Sequence, residues 1–168
     1  MLNENYRKFI GGILGGKTAV VLTPYDYNNN YNNTNTYSTV AWNRITDPNA
    51  GTNPNTFTGI SIILGSGDTQ PTTKDVKLSN DVTKNLSYIA GSTSKEESSE
   101  YNKLVSVTYK NNTANTVTVK EVGLMMQETP SDAMSFSYYR KALLGRVVLD
   151  APIVMSPGDI YTFTYIIE

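Results

Sequence analysis

Apolar and polar positions alternate with a period of two along much of this chain, in short segments separated by polar stretches. Lys103-Leu-Val-Ser-Val-Thr-Tyr-Lys110 sets Val105, Val107 and Tyr109 on one face, the pattern of a half-buried strand. Asn111 to Asn115 turn the chain and Thr116-Val-Thr-Val-Lys120 returns it, so the spacing predicts a hairpin. After Val117 and Val119 the apolar phase slips to Val122 and Leu124, which predicts a bulge near Lys120-Glu121. Leu143 to Leu149 reads as a strand carrying Arg146. Ala151 to Met155 continues as an edge-like segment, because Pro152 cannot donate to a ladder. Pro157-Gly158 fits a type II turn before the last strand. In that strand Tyr161, Phe163, Tyr165 and Ile167 share one face, and Ile160, Thr162, Thr164 and Ile166 share the other. Both faces are at least half apolar, so the second is expected to meet another layer or a neighbouring subunit.

The first half of the chain is less regular. Thr18 to Thr23 is an apolar strand stopped by Pro24. Ser38 to Ile45 resumes a strand carrying the only Trp, Trp42, which reads first as a core anchor. Gly59 to Leu64 forms another, and Leu86, Tyr88 and Ile89 mark a further one within Asn80 to Ala90. Tyr25 to Tyr37 is dense in Asn and Tyr and predicts a long loop, as do Thr46 to Phe57 and Thr129 to Tyr139. Gly91 to Glu100 reads as a solvated connector, rich in Ser, Lys and Glu. Gly65 and Gly67 mark a tight turn, after which Thr72 or Thr73 is placed to cap a single helical turn reaching Leu78. Tyr6, Phe9, Ile10, Ile13 and Leu14 fall at helical spacing behind Asn3 or Asn5 as a cap, predicting a short helix that ends near Gly11 or Gly15. The expectation is one all-β domain over residues 1–168. It is an antiparallel β-sandwich, jelly-roll or Ig-like, with a short N-terminal helix or arm within 1–16, and long polar loops including the Tyr/Asn stretch 24–37.

Composition removes most chemistry. The chain has no His and no Cys, so disulfides, cysteine-based zinc sites and His-dependent triads are excluded. Its 14 basic and 15 acidic residues leave a net charge of −1, which offers nucleic acid no basic face. Charged residues make up 17% of the chain, below the roughly 25% of average soluble domains. No apolar run is long enough to span a membrane. Arg7-Lys8 before an apolar Gly/Ile/Leu run resembles a signal peptide, but Lys17 interrupts it and no small-residue cleavage site closes it. The Gly65 turn lacks the G-K-[ST] ending of a phosphate loop, and Asp68 and Asp75 lack EF-hand spacing. Asp68 with Glu121 is a carboxylate pair formally open to glycosidase chemistry, and Glu121 reads equally as a buried hydrogen-bonding residue of the bulge. No catalytic, cofactor-binding or metal-ligating residue is expected, and the chain reads as a non-enzyme.

What remains is surface. Tyr6, Phe9 and Ile10 suit packing onto the domain's own core or docking of an arm onto a neighbour. Tyr27, Tyr31 and Tyr37 suit a contact surface for protein or glycan, since Tyr offers large area at low entropy cost, or a plain polar loop.

Three segments, in order, carry a resemblance. Leu64-Gly-Ser-Gly-Asp-Thr-Gln-Pro-Thr-Thr-Lys-Asp-Val-Lys-Leu78 resembles the G-x-G-x-x-x-P-T-x-x-D-x-x-L signature of small virion proteins of tailed bacteriophages. Val119-Lys-Glu-Val-Gly-Leu124 is similar to their x-E-x-G-L strand, and Leu144 to Ile167 to their closing R-x-x-L-x-x-P element. Residues 1–58 have no counterpart. The resemblance implies a structural, non-enzymatic β-sandwich located in the virion, as a head decoration, head fibre base or tail/collar component. Its implied partners are copies of itself, as a homo-oligomer, and capsid, portal/neck or tail proteins. The other reading is a glycan- or receptor-binding adhesion module that uses Trp42 and the loop tyrosines.

Overall fold

The computed structural model of the chain describes residues 1–14, 19–22, 35–38, 59–95, 103–128 and 140–167. They are mostly antiparallel β-structure. Helix α1 (Glu4–Leu14) is followed by a small antiparallel pair, β1 (Ala19–Leu22) with β2 (Asn35–Ser38). β3 (Gly59–Gly65) leads through a 3-10 turn (Thr83–Asn85) to β4 (Ser87–Lys95) and β5 (Lys103–Lys110). Next come β6 (Val117–Glu128), β7 (Arg140–Met155) and β8 (Ile160–Ile167). One sheet has the order β3-β6-β7 and the other β4-β5-β8, with every neighbouring pair antiparallel.

The alternation decides which faces meet. Ile60, Ile62 and Leu64 of β3, Val119, Val122, Leu124 and Met126 of β6, and Leu144 of β7 belong to one buried cluster. Val105, Val107 and Tyr109 of β5 and Phe163, Tyr165 and Ile167 of β8 belong to the same cluster. Tyr109 is 1% exposed, and its hydroxyl donates to the Ile62 carbonyl, so a polar tip is satisfied where the two sheets touch. Its ring meets Tyr88 and Phe163 edge-on, with centroids 6.5 and 6.4 Å away.

The hairpin expected over 103–120 does not form. β5 and β6 lie in different sheets, and Asn111 to Thr116 carry the chain from one to the other. Asn111 is fully buried and holds this crossing. Its side-chain amide donates to the Asn115 and Met155 carbonyls, its backbone N–H donates to the Asp159 carbonyl, and its own carbonyl accepts from Gly158. The physical reason is that Val105/Val107/Tyr109 and Val117/Val119 both need cover. Placing the two strands in separate sheets lets these residues share one cluster, whereas a flat hairpin leaves them all on one uncovered side.

The bulge is present. The β6–β7 register shifts between Val119↔Ile153 and Glu121↔Val148, so Lys120 stands against Leu149 to Pro152. β7 therefore runs as one irregular strand through Pro152, at a sheet edge where a missing N–H is tolerated. Two polar stretches expected to be loops are partly strand. Asn35 to Tyr37 pair with β1, in keeping with the strand preference of Thr and Tyr. β4 extends through Gly91 to Lys95 because β5 supplies the ladder and an edge strand tolerates polar residues. The helical turn expected after Thr72 or Thr73 is instead a non-helical turn over 72–75. The Asp75 carboxylate closes it by accepting from the Thr72 backbone N–H (2.9 Å) and hydroxyl (2.7 Å).

The two sheets differ on their outer sides. Ile63, Met125 and Leu143 lie off the shared core and are buried with Leu78 in a second cluster. The outer side of β4-β5-β8 leaves Ile160, Thr162, Thr164 and Ile166 exposed.

Candidate functional site

One charged residue from each of the three resembling segments, Asp75, Glu121 and Arg146, meets the others on the outer side of the first sheet. Glu121, at the bulge, is 0% exposed, and Arg146 on β7 is 3% exposed. Arg146 Nη1 lies 2.8 Å from Glu121 Oε2 and 2.6 Å from the Ser79 hydroxyl, and Nη2 donates to the Thr69 carbonyl. Its Nε is 3.0 Å from Asp75 Oδ2 without alignment for a hydrogen bond, so that contact is electrostatic. Glu121 Oε1 accepts from the backbone N–H groups of Gly67 (3.2 Å) and Asn80 (3.0 Å). Two neighbouring strands thus fasten the 66–80 segment over the sheet with a hydrogen-bonded cluster of one guanidinium and two carboxylates.

The glycines of the motifs make room for this arrangement. A Cβ on Gly67 would come within 2.7 Å of Glu121 Oε1, and one on Gly65 within 2.6 Å of Glu121 Cγ. A Cβ on Gly123 would sit 2.9 Å from each of Ile63, Leu78 and Leu143. Each separation is shorter than van der Waals contact allows, so these positions need a residue without a side chain. Gly65, Gly67, Asp75, Leu78, Glu121, Gly123 and Arg146 therefore form one physical unit.

That unit leaves little for chemistry. Glu121, one half of the carboxylate pair weighed for hydrolysis, is enclosed and bonded on both oxygens. Asp68, the other half, is exposed and pairs with Lys120 at 3.1 Å. Among the described residues no three acidic groups are placed to hold a metal ion, and no helix is long and apolar enough to cross a membrane.

The second candidate surface is the outer side of β4-β5-β8. Ser106 and Thr164 hydroxyls are 2.9 Å apart and Thr108 and Thr162 hydroxyls 2.8 Å apart, forming cross-strand pairs. Ala90 and Ser92 continue the two rows on β4. Ile160 and Ile166, 58% and 49% exposed, flank this hydroxyl band along β8. The face is uncharged across its centre and partly apolar. Sequence alone marks β8 as two-faced. The band itself escapes it, because the matching residues lie on separate strands. The available signal is that Ser106, Thr108, Thr162 and Thr164 all fall on the polar phase of their alternation.

The residues singled out from sequence are dispersed. Tyr6 and Ile10 are partly buried on α1 and pack against the shared core. Phe9 lies on the same helix, and Tyr37 on β2. Tyr27, Tyr31 and Trp42 fall outside the described residues. Asn3, expected as one of two caps, accepts the Tyr6 N–H at 3.1 Å where α1 begins. Its amide also donates to the Leu143 (2.7 Å) and Asp75 (2.8 Å) carbonyls, so one buried Asn ties the N-terminus to β7 and to the 72–75 turn.

No protein-family model, no curated protein sequence and no solved structure matches the chain.

Proposed function

We propose that this chain is a non-enzymatic structural component of a tailed-bacteriophage virion, packing against copies of itself and against capsid, portal/neck or tail neighbours. We read its two sheets as the layers of a β-sandwich. The observation that carries the reading is the convergence of the three resembling segments. Their Gly, Asp, Glu, Leu and Arg residues interlock around Arg146 and Glu121. The motif residues are thereby used inside the molecule as a fastening. What the chain offers outward is an uncharged hydroxyl and isoleucine face on β4-β5-β8. Depletion of charge with retained apolar side chains suits packing between protein subunits. Immunogold electron microscopy of purified particles from the source tests this. Label at a constant position on intact particles supports the reading, and unlabelled particles beside label on free protein reject it.

A further inference from the structure

The four edges of the two three-stranded sheets are not treated alike. Along β3, the Val82 N–H donates to Leu64, the Ser66 N–H donates to Asn80, and Asp81 bridges Gly65. Along β7, Leu2 bridges Gly145, the Asn3 N–H donates to Leu144 and the Arg146 N–H donates to Met1, and Pro152 interrupts the rest. β4 is bulged between Tyr88 and Ala90 and ends on Lys95. Covering, Pro, bulges and Lys are the devices that stop an edge from pairing with another chain. Among the described residues, β8 has none of them. It pairs with β5 in unbroken register from Ile160 to Ile167, contains no Gly, Pro or charged residue, and has no described strand on its other side.

Its sequence also says what fits there. Ile160-Tyr-Thr-Phe-Thr-Tyr-Ile166 reads the same in both directions about Phe163. We infer that β8 pairs antiparallel with β8 of a second copy about a two-fold axis through Phe163. This sets Ile160 against Ile166 of the second copy, Tyr161 against Tyr165, Thr162 against Thr164, and Phe163 against its counterpart. Like meets like at every position, which suits the self-complementary patch of a closed two-fold interface. Opposed residues have the same parity, so both cores stay on one side, and three strands from each copy make one six-stranded sheet. The exposed Ile160 and Ile166 cover each other, and the Thr108–Thr162 and Ser106–Thr164 pairs join into a hydroxyl row across the junction. The strand carries no charge, so no like-charge repulsion opposes the approach. This deepens the proposed packing of the chain against itself, on which it rests, by naming the surface and its register.

Light scattering coupled to size-exclusion chromatography of the full chain tests the pairing. The wild type is expected to be a dimer. Thr162→Lys/Thr164→Lys places like charges opposite each other and is expected to give a monomer with unchanged circular dichroism. Thr162→Lys/Thr164→Glu places opposite charges across the axis and is expected to restore the dimer. A monomeric wild type, a dimer that survives the double Lys change, or a folded Lys/Glu variant that stays monomeric overturns the pairing. If the variants do not fold, amide hydrogen exchange of the wild type decides. Protection of β8 that rises with protein concentration supports the pairing, and protection independent of concentration overturns it. A monomeric chain found in particles rejects this pairing alone, and a dimer missing from particles rejects the virion role alone.

Discussion

At the residue scale, Arg146→Met leaves the fully enclosed Glu121 carboxylate without its partner, and removing one member of a buried pair costs about 3–5 kcal/mol. Glu121→Gln keeps an acceptor for the Gly67 and Asn80 N–H groups, so the double variant is expected to lose less than the sum of the singles. Urea unfolding of the four proteins measures this coupling. Gly123→Ala pushes a methyl against Ile63, Leu78 and Leu143 and is expected to cost about 1–3 kcal/mol by overpacking, read from the same unfolding curves. The buried phenols add a pH dependence. Burial pushes Tyr165 up from 10.0 to about 12, and Tyr109 is raised by the same cause. The folded state therefore holds protons that the unfolded state releases first. This stability is complete below pH 10.0 and declines as pH rises toward 12, by up to about 1.4 kcal/mol per pH unit for each group. Urea midpoints across that range check the fall, and Tyr165→Phe is expected to reduce it.

At the element scale, local patterns are legible in the sequence and partners are not. The alternation in Lys103–Lys110 and Ile160–Ile167 is readable because each strand buries one face. The bulge is readable because the apolar phase slips at Glu121. The sheet that each strand joins stays hidden. A short polar turn such as 111–116 leaves the same trace whether it stays in a sheet or crosses between sheets, and the bonds of Asn111 that decide it reach Met155, Gly158 and Asp159. The partners of Arg146 are hidden for the same reason, since Asp75, Ser79 and Glu121 lie elsewhere in the chain. Asn3 shows how much one side chain can join. Asn3→Ala removes the α1 cap and two bonds to carbonyls of other segments, and is expected to cost about 2–3 kcal/mol in thermal or urea unfolding.

At the scale of the whole molecule, the two sheets are finished differently. The 66–80 segment covers the first on its outer side, held by Leu78 and the ion cluster, and the N-terminus covers its β7 edge, tied down by Asn3. The second keeps its hydroxyl face and the β8 edge outward. This asymmetry fits a subunit whose closed side is fastened internally and whose open side meets other copies. The measurement that tests the central claim most directly is quantitative mass spectrometry of purified intact particles from the source. The account predicts the chain at a fixed stoichiometry to the major capsid protein, in an even number of copies per particle. Its complete absence from intact particles would contradict the account.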